Sequence, residues 1–252
     1  MIDANPELRF KEPASLEPLA AAILLTLTYA DLFAYPLTPA EVYQYLIGLR
    51  AARADVERAL NESPQLQGRI ARVTGLITLP QREGIVDIRA ARHAAARRQL
   101  PRARFYARLI AHFPYVRMIA LTGSLAMQNS VDNDIDLLIV TRPGRLWLVR
   151  GLAVALVRLA RLCGDRLCPN FLLAETALTM PEQDLYQAHE IVQMIPLYGF
   201  GVYQRMRQAN AWALQYLCNA GEARLVLAEI RLPRVGELVK RCWERLLGGK
   251  MG

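Results

Sequence analysis

Two carboxylates, Asp134 and Asp136, stand at i and i+2 where the apolar run IDLLIV begins, and Ser124 of a Gly123-Ser124 pair lies ten residues upstream of the first. The run is rich in strand-forming residues and bounded by polar ones, which predicts a strand. Side chains two apart on a strand share a face, so the two carboxylates stand side by side. Like charges at that spacing repel unless a cation lies between them. Hard carboxylate oxygens suit Mg²⁺, which usually keeps one or two carboxylates, several waters and substrate phosphates. A Gly-Ser turn that opens a helix offers backbone N–H groups and a hydroxyl to a phosphate. These residue types at this spacing point to metal-dependent phosphoryl or nucleotidyl transfer. A solvated strand end is the plainer alternative. A strand this apolar is usually buried under helices, however, and two acids at its start then need a reason.

The order Gly-Ser, short helix, Asp-Ile-Asp and apolar residues resembles the signature of the nucleotidyltransferase superfamily, over residues 117–175. That superfamily includes polymerase beta-like enzymes, antibiotic nucleotidyltransferases and minimal nucleotidyltransferases. The whole chain is similar to a group of prokaryotic proteins that place a winged-helix-like segment before the transferase core. The segments that carry this likeness are YADLFAYPLT, LTGSLAMQN, DNDIDLLIVT, CPNFLLAE and AHEIVQMIPLYG. The resemblance implies that Asp134 and Asp136 bind Mg²⁺ and that Gly123 and Ser124 hold the phosphates of an NTP donor. A nucleotidyl group would pass to an acceptor with release of pyrophosphate.

Superfamily enzymes usually carry a third carboxylate on a neighbouring strand, as general base or second metal ligand. The matching strand here reads CPNFLLAE, with Asn170 about where that acid is expected. An amide cannot take a proton from an attacking hydroxyl. Either Glu175, at the far end of that strand, substitutes as the third catalytic carboxylate, or another acid such as Glu190 reaches in beside His189. Otherwise the protein binds nucleotide without turnover. Asn133 beside the pair suits a turn with Asp132, and Arg142 after the strand is a phosphate contact or a solvated loop residue.

The elements that must position these residues follow from the rest of the chain. Its 252 residues support a sizeable core, and 53% hydrophobic with 21% charged residues excludes a disordered chain. The most apolar stretch, residues 146–162, is interrupted by Arg150, Arg158 and Arg161, so it reads as a core helix rather than a membrane span. The N-terminus lacks the basic-then-apolar order of a signal peptide, so the expected location is cytoplasmic with no membrane partner. The 4 cysteines match no zinc spacing, the 3 histidines are scattered, and no Walker-type loop occurs.

The expected fold is α+β in four parts. Residues 1–82 form a winged-helix-like domain: helices over 16–33, from Thr38 onward and over 53–62, then a hairpin around Thr74-Gly75. Thr38, Pro39 and Glu41 make a capping box. Residues 83–113 form an arginine-rich helical connector that restarts at Pro101. Residues 114–180 form the transferase core with a small mixed sheet: strands at 116–121, 135–140 and 169–174, a short helix from Ser124 and a long helix over 144–163. Residues 181–252 are helical: a helix capped at Thr179 runs to Met194, ended by Pro196 and Gly199, with further helices over 200–218 and 222–247. Such a tail suits a substrate-lining bundle or a homo-oligomer.

Net charge is +8, and residues 82–108 supply +6 of it, from eight arginines against Glu83 and Asp87. A stretch of this kind attracts phosphate backbones or other polyanions, or is a solvated helix face. It favours an anionic acceptor, although the acceptor could equally be a protein side chain or a small molecule. The third helix carries Asp55, Glu57 and Glu62 beside Arg53 and Arg58, which argues against tight DNA binding by that helix. The alternative reading is a nucleic-acid-binding regulator whose transferase core is a degenerate nucleotide sensor.

Overall fold

Local punctuation sets the N-terminal head. In the computed structural model, which describes residues 17–221 and 227–248, the head comprises α1 (Pro18–Asp31), α2 (Pro39–Gln44), α3 (Arg53–Glu62) and the hairpin of β1 (Ala71–Val73) and β2 (Leu76–Thr78). Thr74 and Gly75 both take positive φ, as a two-residue hairpin turn requires. The capping box at Thr38 forms in both directions, its hydroxyl accepting from Glu41 N–H and Glu41 accepting from Thr38 N–H. Ile23, Leu27, Leu37, Val42, Leu46, Val56 and Ile77 close the head's own core.

The connector is one continuous helix, α4 (Ile85–Ala111), with Pro101 inside it rather than at a restart. Proline removes one backbone donor there. Pro101 itself is exposed, while Ala96, Ala103, Tyr106, Ala107 and Ile110 bury the opposite face. Packing of that face carries the helix across the break.

The fold is α+β, and its main sheet is four-stranded and mixed, in the order β5-β4-β3-β6. The strands are β3 (Val116–Leu121), β4 (Asp134–Thr141), β5 (Arg166–Ala174) and β6 (Ile195–Tyr198). α5 (Gly123–Ala126) follows β3, and α6 (Leu146–Leu162) is the crossover between the parallel pair β4 and β5. Ile135, Leu137 and Ile139 face the layer of α4 and α6, whereas Leu138 and Val140 face the layer of α7 (Leu185–Gln193), α8 (Phe200–Ala209) and α9 (Ala213–Tyr216). α10 (Arg234–Leu246) ends the described chain.

The C-terminal third departs from expectation. Thr179 does not start a helix. Met180 N–H goes instead to Asn210 Oδ1 (2.8 Å), and the helix begins at Leu185 under Asp184, whose carboxylate accepts from Gln187 N–H (2.7 Å). Residues 195–198, read as a helix end, form the edge strand β6 against β3. An edge strand tolerates the missing donor of Pro196. Gly199 takes positive φ, and a Cβ there would overlap the Arg117 carbonyl oxygen. The helix expected over 200–218 breaks at Asn210, whose side chain bonds Leu178, Met180 and Met206. Residues 222–226 of the last expected helix lie outside the described residues, and 227–233 run extended to Pro233, with Ile230 N–H bonded to Leu197 O at 2.7 Å. Among the described residues no helix is long and apolar enough to cross a membrane.

The head is fastened to the rest through polar contacts. Glu41, 1% exposed, receives both guanidinium nitrogens of Arg89 at 2.9 and 3.0 Å together with the Tyr35 hydroxyl at 2.8 Å. Tyr35 also donates to Met127 O, and Asn129 Nδ2 donates to Phe33 O at 3.1 Å. Arg82 pairs with Asp31, Arg92 donates to Phe33 O, Arg102 pairs with Asp165, and Arg104 donates to Ala228 O. Four of the connector's arginines, Arg89, Arg92, Arg102 and Arg104, and Arg82 just before it are thus engaged within the fold. Replacing Glu41 by alanine strands the Arg89 guanidinium in a dry setting. Denaturant unfolding of Glu41→Ala is expected to show a loss of roughly 3 kcal/mol or more, against less than about 1 kcal/mol for the exposed pair partner in Glu57→Ala.

Candidate active site

Strand parity decides which side of the sheet the acids occupy. Asp134 and Asp136 continue the even-numbered face of β4, so they point toward α7 beyond Leu138. Thr122 N–H bonds Asp136 O at 3.0 Å, so the turn after β3 runs directly beside Asp136. Gly123 sits in that turn with φ of 63°, and a Cβ there would overlap Asp136 Oδ2. Only glycine combines that conformation with that approach. Ser124 follows in the first turn of α5 and lines the same recess.

Asp136 is partly withdrawn from water. Burial raises its pKa, a hydrogen bond from the Cys168 thiol opposes the rise, and the charge of Asp134 adds to it. Asp134 has a cationic neighbour in Arg166, whose Nε lies 2.8 Å from Oδ1 but out of line for a hydrogen bond; that arginine is largely in solvent.

The third carboxylate comes from α7. Glu190 is 9% exposed and accepts the Gly123 N–H, while its Oε2 has no hydrogen-bond partner. Burial pushes its pKa up to about 7, against the pull of the Gly123 N–H and with help from the charge of Asp136. α7 is held at both ends, by Asp184 at its start and by Arg207, which donates to Ile191 O at 2.9 Å. The Gly123 N–H is therefore bound to Glu190, which leaves Ser124 as the polar side chain of the Gly-Ser pair.

Glu175 is not brought to this corner. It follows Ala174, the register partner of Thr141, at the opposite end of β4 from Asp134, and pairs there with Arg205. Thr141 is seven residues beyond Asp134, so at about 3.3 Å per residue the separation is roughly 23 Å. Asn170 is the extra residue where the β4–β5 register shifts, and it is exposed; the partner of Asp136 across the strands is Cys168. Arg142 lies exposed at the far end of β4 as well. Asn133 takes positive φ in the turn before β4, and its side chain accepts from Gln99 on α4, which anchors the start of the strand.

A cleft of about 430 Å³ opens at the Gly123-Ser124 turn; Asp134, Asp136 and Glu190 lie behind that turn and do not line the cleft. Head residues Tyr29 and Phe33 form one wall; Gly123, Ser124, Tyr186 and His189 form the other. The His189 ring lies flat on Tyr29, centroids 4.4 Å apart. Burial lowers the His189 pKa to about 4, so the ring is neutral, and its Nδ1 meets Gln193 Nε2 at 2.9 Å.

Among the described residues no group of three or more His, Cys, Asp or Glu side chains is spaced to hold a metal ion alone. Mg²⁺ needs no such cage, because waters and substrate phosphates complete its shell. The donor set fits it: hard oxygens from Asp134 and Asp136, a nearby carboxylate oxygen without a partner, and a glycine that keeps the corner open. No protein-family model matches the chain, and no curated protein and no solved structure matches it either.

Glu190 carries a definite pH signature. A carboxyl whose pKa rises on folding, here from 4.5 to about 7, binds its proton more tightly folded than unfolded. Its contribution is full below the unfolded value and is lost as pH climbs through the folded one. Urea unfolding of Glu190→Gln across this range is expected to show the variant gaining about 2–3 kcal/mol on the native chain as pH rises from below to above that window. A difference that is flat with pH would show that folding leaves the Glu190 pKa unchanged. Gly123→Ala is expected to lower stability by about 1–2 kcal/mol in urea unfolding, because the added Cβ meets Asp136 at a positive φ.

Proposed function

We propose that this protein is a metal-dependent nucleotidyltransferase, moving a nucleotidyl group from an NTP to a hydroxyl-bearing acceptor. The observation that carries the reading is the meeting of Asp136 and Glu190 at the Gly123 turn, with Asp134 on the same face of β4 and Oε2 of Glu190 unpartnered. Three acids with one exposed arginine beside them favour a cation at that corner. Asp134 and Asp136 hold Mg²⁺, which when bound supplies positive charge against the triphosphate. The Ser124 hydroxyl donates to a phosphate oxygen. Gly123 lets the phosphate chain approach without a side chain in the way.

Glu190 acts as the general base. A pKa of about 7 leaves it partly ionised at neutral pH, the range in which a carboxylate is most effective at taking a proton. It removes the proton of the acceptor hydroxyl as that oxygen bonds to the α-phosphorus, and the bond from that phosphorus to pyrophosphate breaks. Its other oxygen stays on the Gly123 N–H, which fixes the carboxylate relative to the phosphate turn. Five of the arginines that pointed to a nucleic-acid acceptor are engaged within the fold, so a small-molecule or protein hydroxyl is the better-supported acceptor.

The direct test is incubation with each α-labelled NTP, Mg²⁺ and cell extract. Label is expected to transfer with the native chain and not with Asp134→Ala/Asp136→Ala. Glu190→Gln is expected to retain nucleotide binding while kcat falls by about 10²–10⁴ and the acid limb of the pH–rate profile disappears. Transfer undiminished in the double variant would overturn the reading.

A further inference from the structure

Exposed apolar side chains occur on α6, on α10 and around one cleft, and of these three places only the cleft is concave. Leu32, Phe33, Val131 and Tyr186 are 75%, 45%, 54% and 48% exposed, and all four rim the cleft between the head and α7. An apolar patch left open beside a polar site marks a binding surface rather than a packing defect. Its inner wall is the Tyr29–His189 stack, with Phe33 inclined against Tyr29 at 5.5 Å. Arg92 is the sole charged residue among those lining it, and its guanidinium already donates to Phe33 O. Such a cleft suits an uncharged planar ring and offers nothing to a polycationic acceptor. Gly123 and Ser124 line the same cleft, so a ring bound there is continuous with the phosphate turn. Its volume of about 430 Å³ lies within the usual span for small-molecule sites, about 300–1,000 Å³.

We infer that this cleft is the subsite for the nucleobase of the donor NTP, bounded on one side by the head, which thereby forms part of the substrate-binding wall. The inference rests on the nucleotidyl-transfer reading. The base lies against the aromatic rim at Phe33 and Tyr186, and the triphosphate runs out past Ser124 to the carboxylates. Tyr29 and His189 brace the wall, because the neutral imidazole and the phenol ring pack face to face. Selectivity then comes from stacking strength and from the few polar groups at the edge, Asn129 and Gln193 among them. The head is a component of the transferase site rather than an appended binding module.

Calorimetry on the full chain separates the two ideas. The ligands are the four Mg²⁺–NTPs, Mg²⁺–tripolyphosphate and the free nucleosides. The proteins are the native chain, Phe33→Ala, Phe33→Trp and Asp136→Asn, each checked for native circular dichroism. Phe33→Ala is expected to weaken NTP binding about tenfold, leave tripolyphosphate unchanged, and be rescued by Phe33→Trp. Asp136→Asn is expected to weaken NTP and tripolyphosphate together while nucleoside binding persists. NTP binding that depends on Asp136 but is indifferent to Phe33 would overturn the base subsite and leave the transfer reading standing. No binding of any nucleotide would overturn the transfer reading, and the inference with it.

Discussion

Two carboxylates, Asp136 and Glu190, meet at one glycine with Asp134 two residues away on the same strand face, and the remainder of the structure is arranged so that they can. Asp136 reaches the Gly123 turn because the even-numbered face of β4 looks toward α7, and Glu190 reaches it because α7 is tied down at both ends. Left to itself, a cluster of ionised acids drives apart. Here burial raises the pKa of one member to about 7, so that it is only partly ionised near neutral pH, one accepts a thiol hydrogen bond, and one sits beside an exposed arginine. Each of these is a partial compensation. Together they leave a site whose electrostatics improve when a cation enters and Glu190 gives up its proton.

The same economy explains the basic connector. An arginine-rich helix with net positive charge looks from composition like a surface for polyanions. In the fold it is a spine that grips the head: Arg89 forks onto the buried Glu41, Arg82 and Arg92 hold the end of α1 and the loop after it, and Arg102 reaches across to Asp165. Rigid attachment of the head has a local consequence. Phe33 and Asn129 are linked by a hydrogen bond at the rim of the cleft, so the head wall is held in register with the Gly123-Ser124 turn.

Much of this was legible in the order of residues. Turn and cap chemistry is local, and it placed α3 at 53–62, β3 at 116–121 and the Thr38 capping box where they stand. The face shared by Asp134 and Asp136 needed only the period of a strand. What failed was whatever depends on a distant partner. β6 is four residues with a proline, a strand only because β3 offers an edge. Helix α4 crosses Pro101 because packing on its other face outweighs one lost hydrogen bond. Thr179 had a capping pattern, but Asn210 took the Met180 N–H first. Glu190 was one of two acids named for that place, beside Glu175, and periodicity alone could not choose it. The signal was a charged residue amid the buried stretch Ala188, Ile191 and Val192, a place where a carboxylate needs a purpose.

The claim at the centre is that Glu190 shares the corner with Asp136, titrates near 7 while the corner is empty, and gives up its proton more readily once a cation arrives. The most direct measurement is the ionisation of that one carboxyl, followed by carbon-13 NMR of glutamate side chains with Glu190→Gln to assign the signal, in the free protein and with Mg²⁺ and an NTP. The account predicts titration near 7 in the free protein, as burial dictates, and a fall toward the ordinary carboxylate range once Mg²⁺ and nucleotide are bound. Titration near the ordinary value in both states would contradict it, because Glu190 would then be neither buried against the Asp136 corner nor sensitive to what binds there.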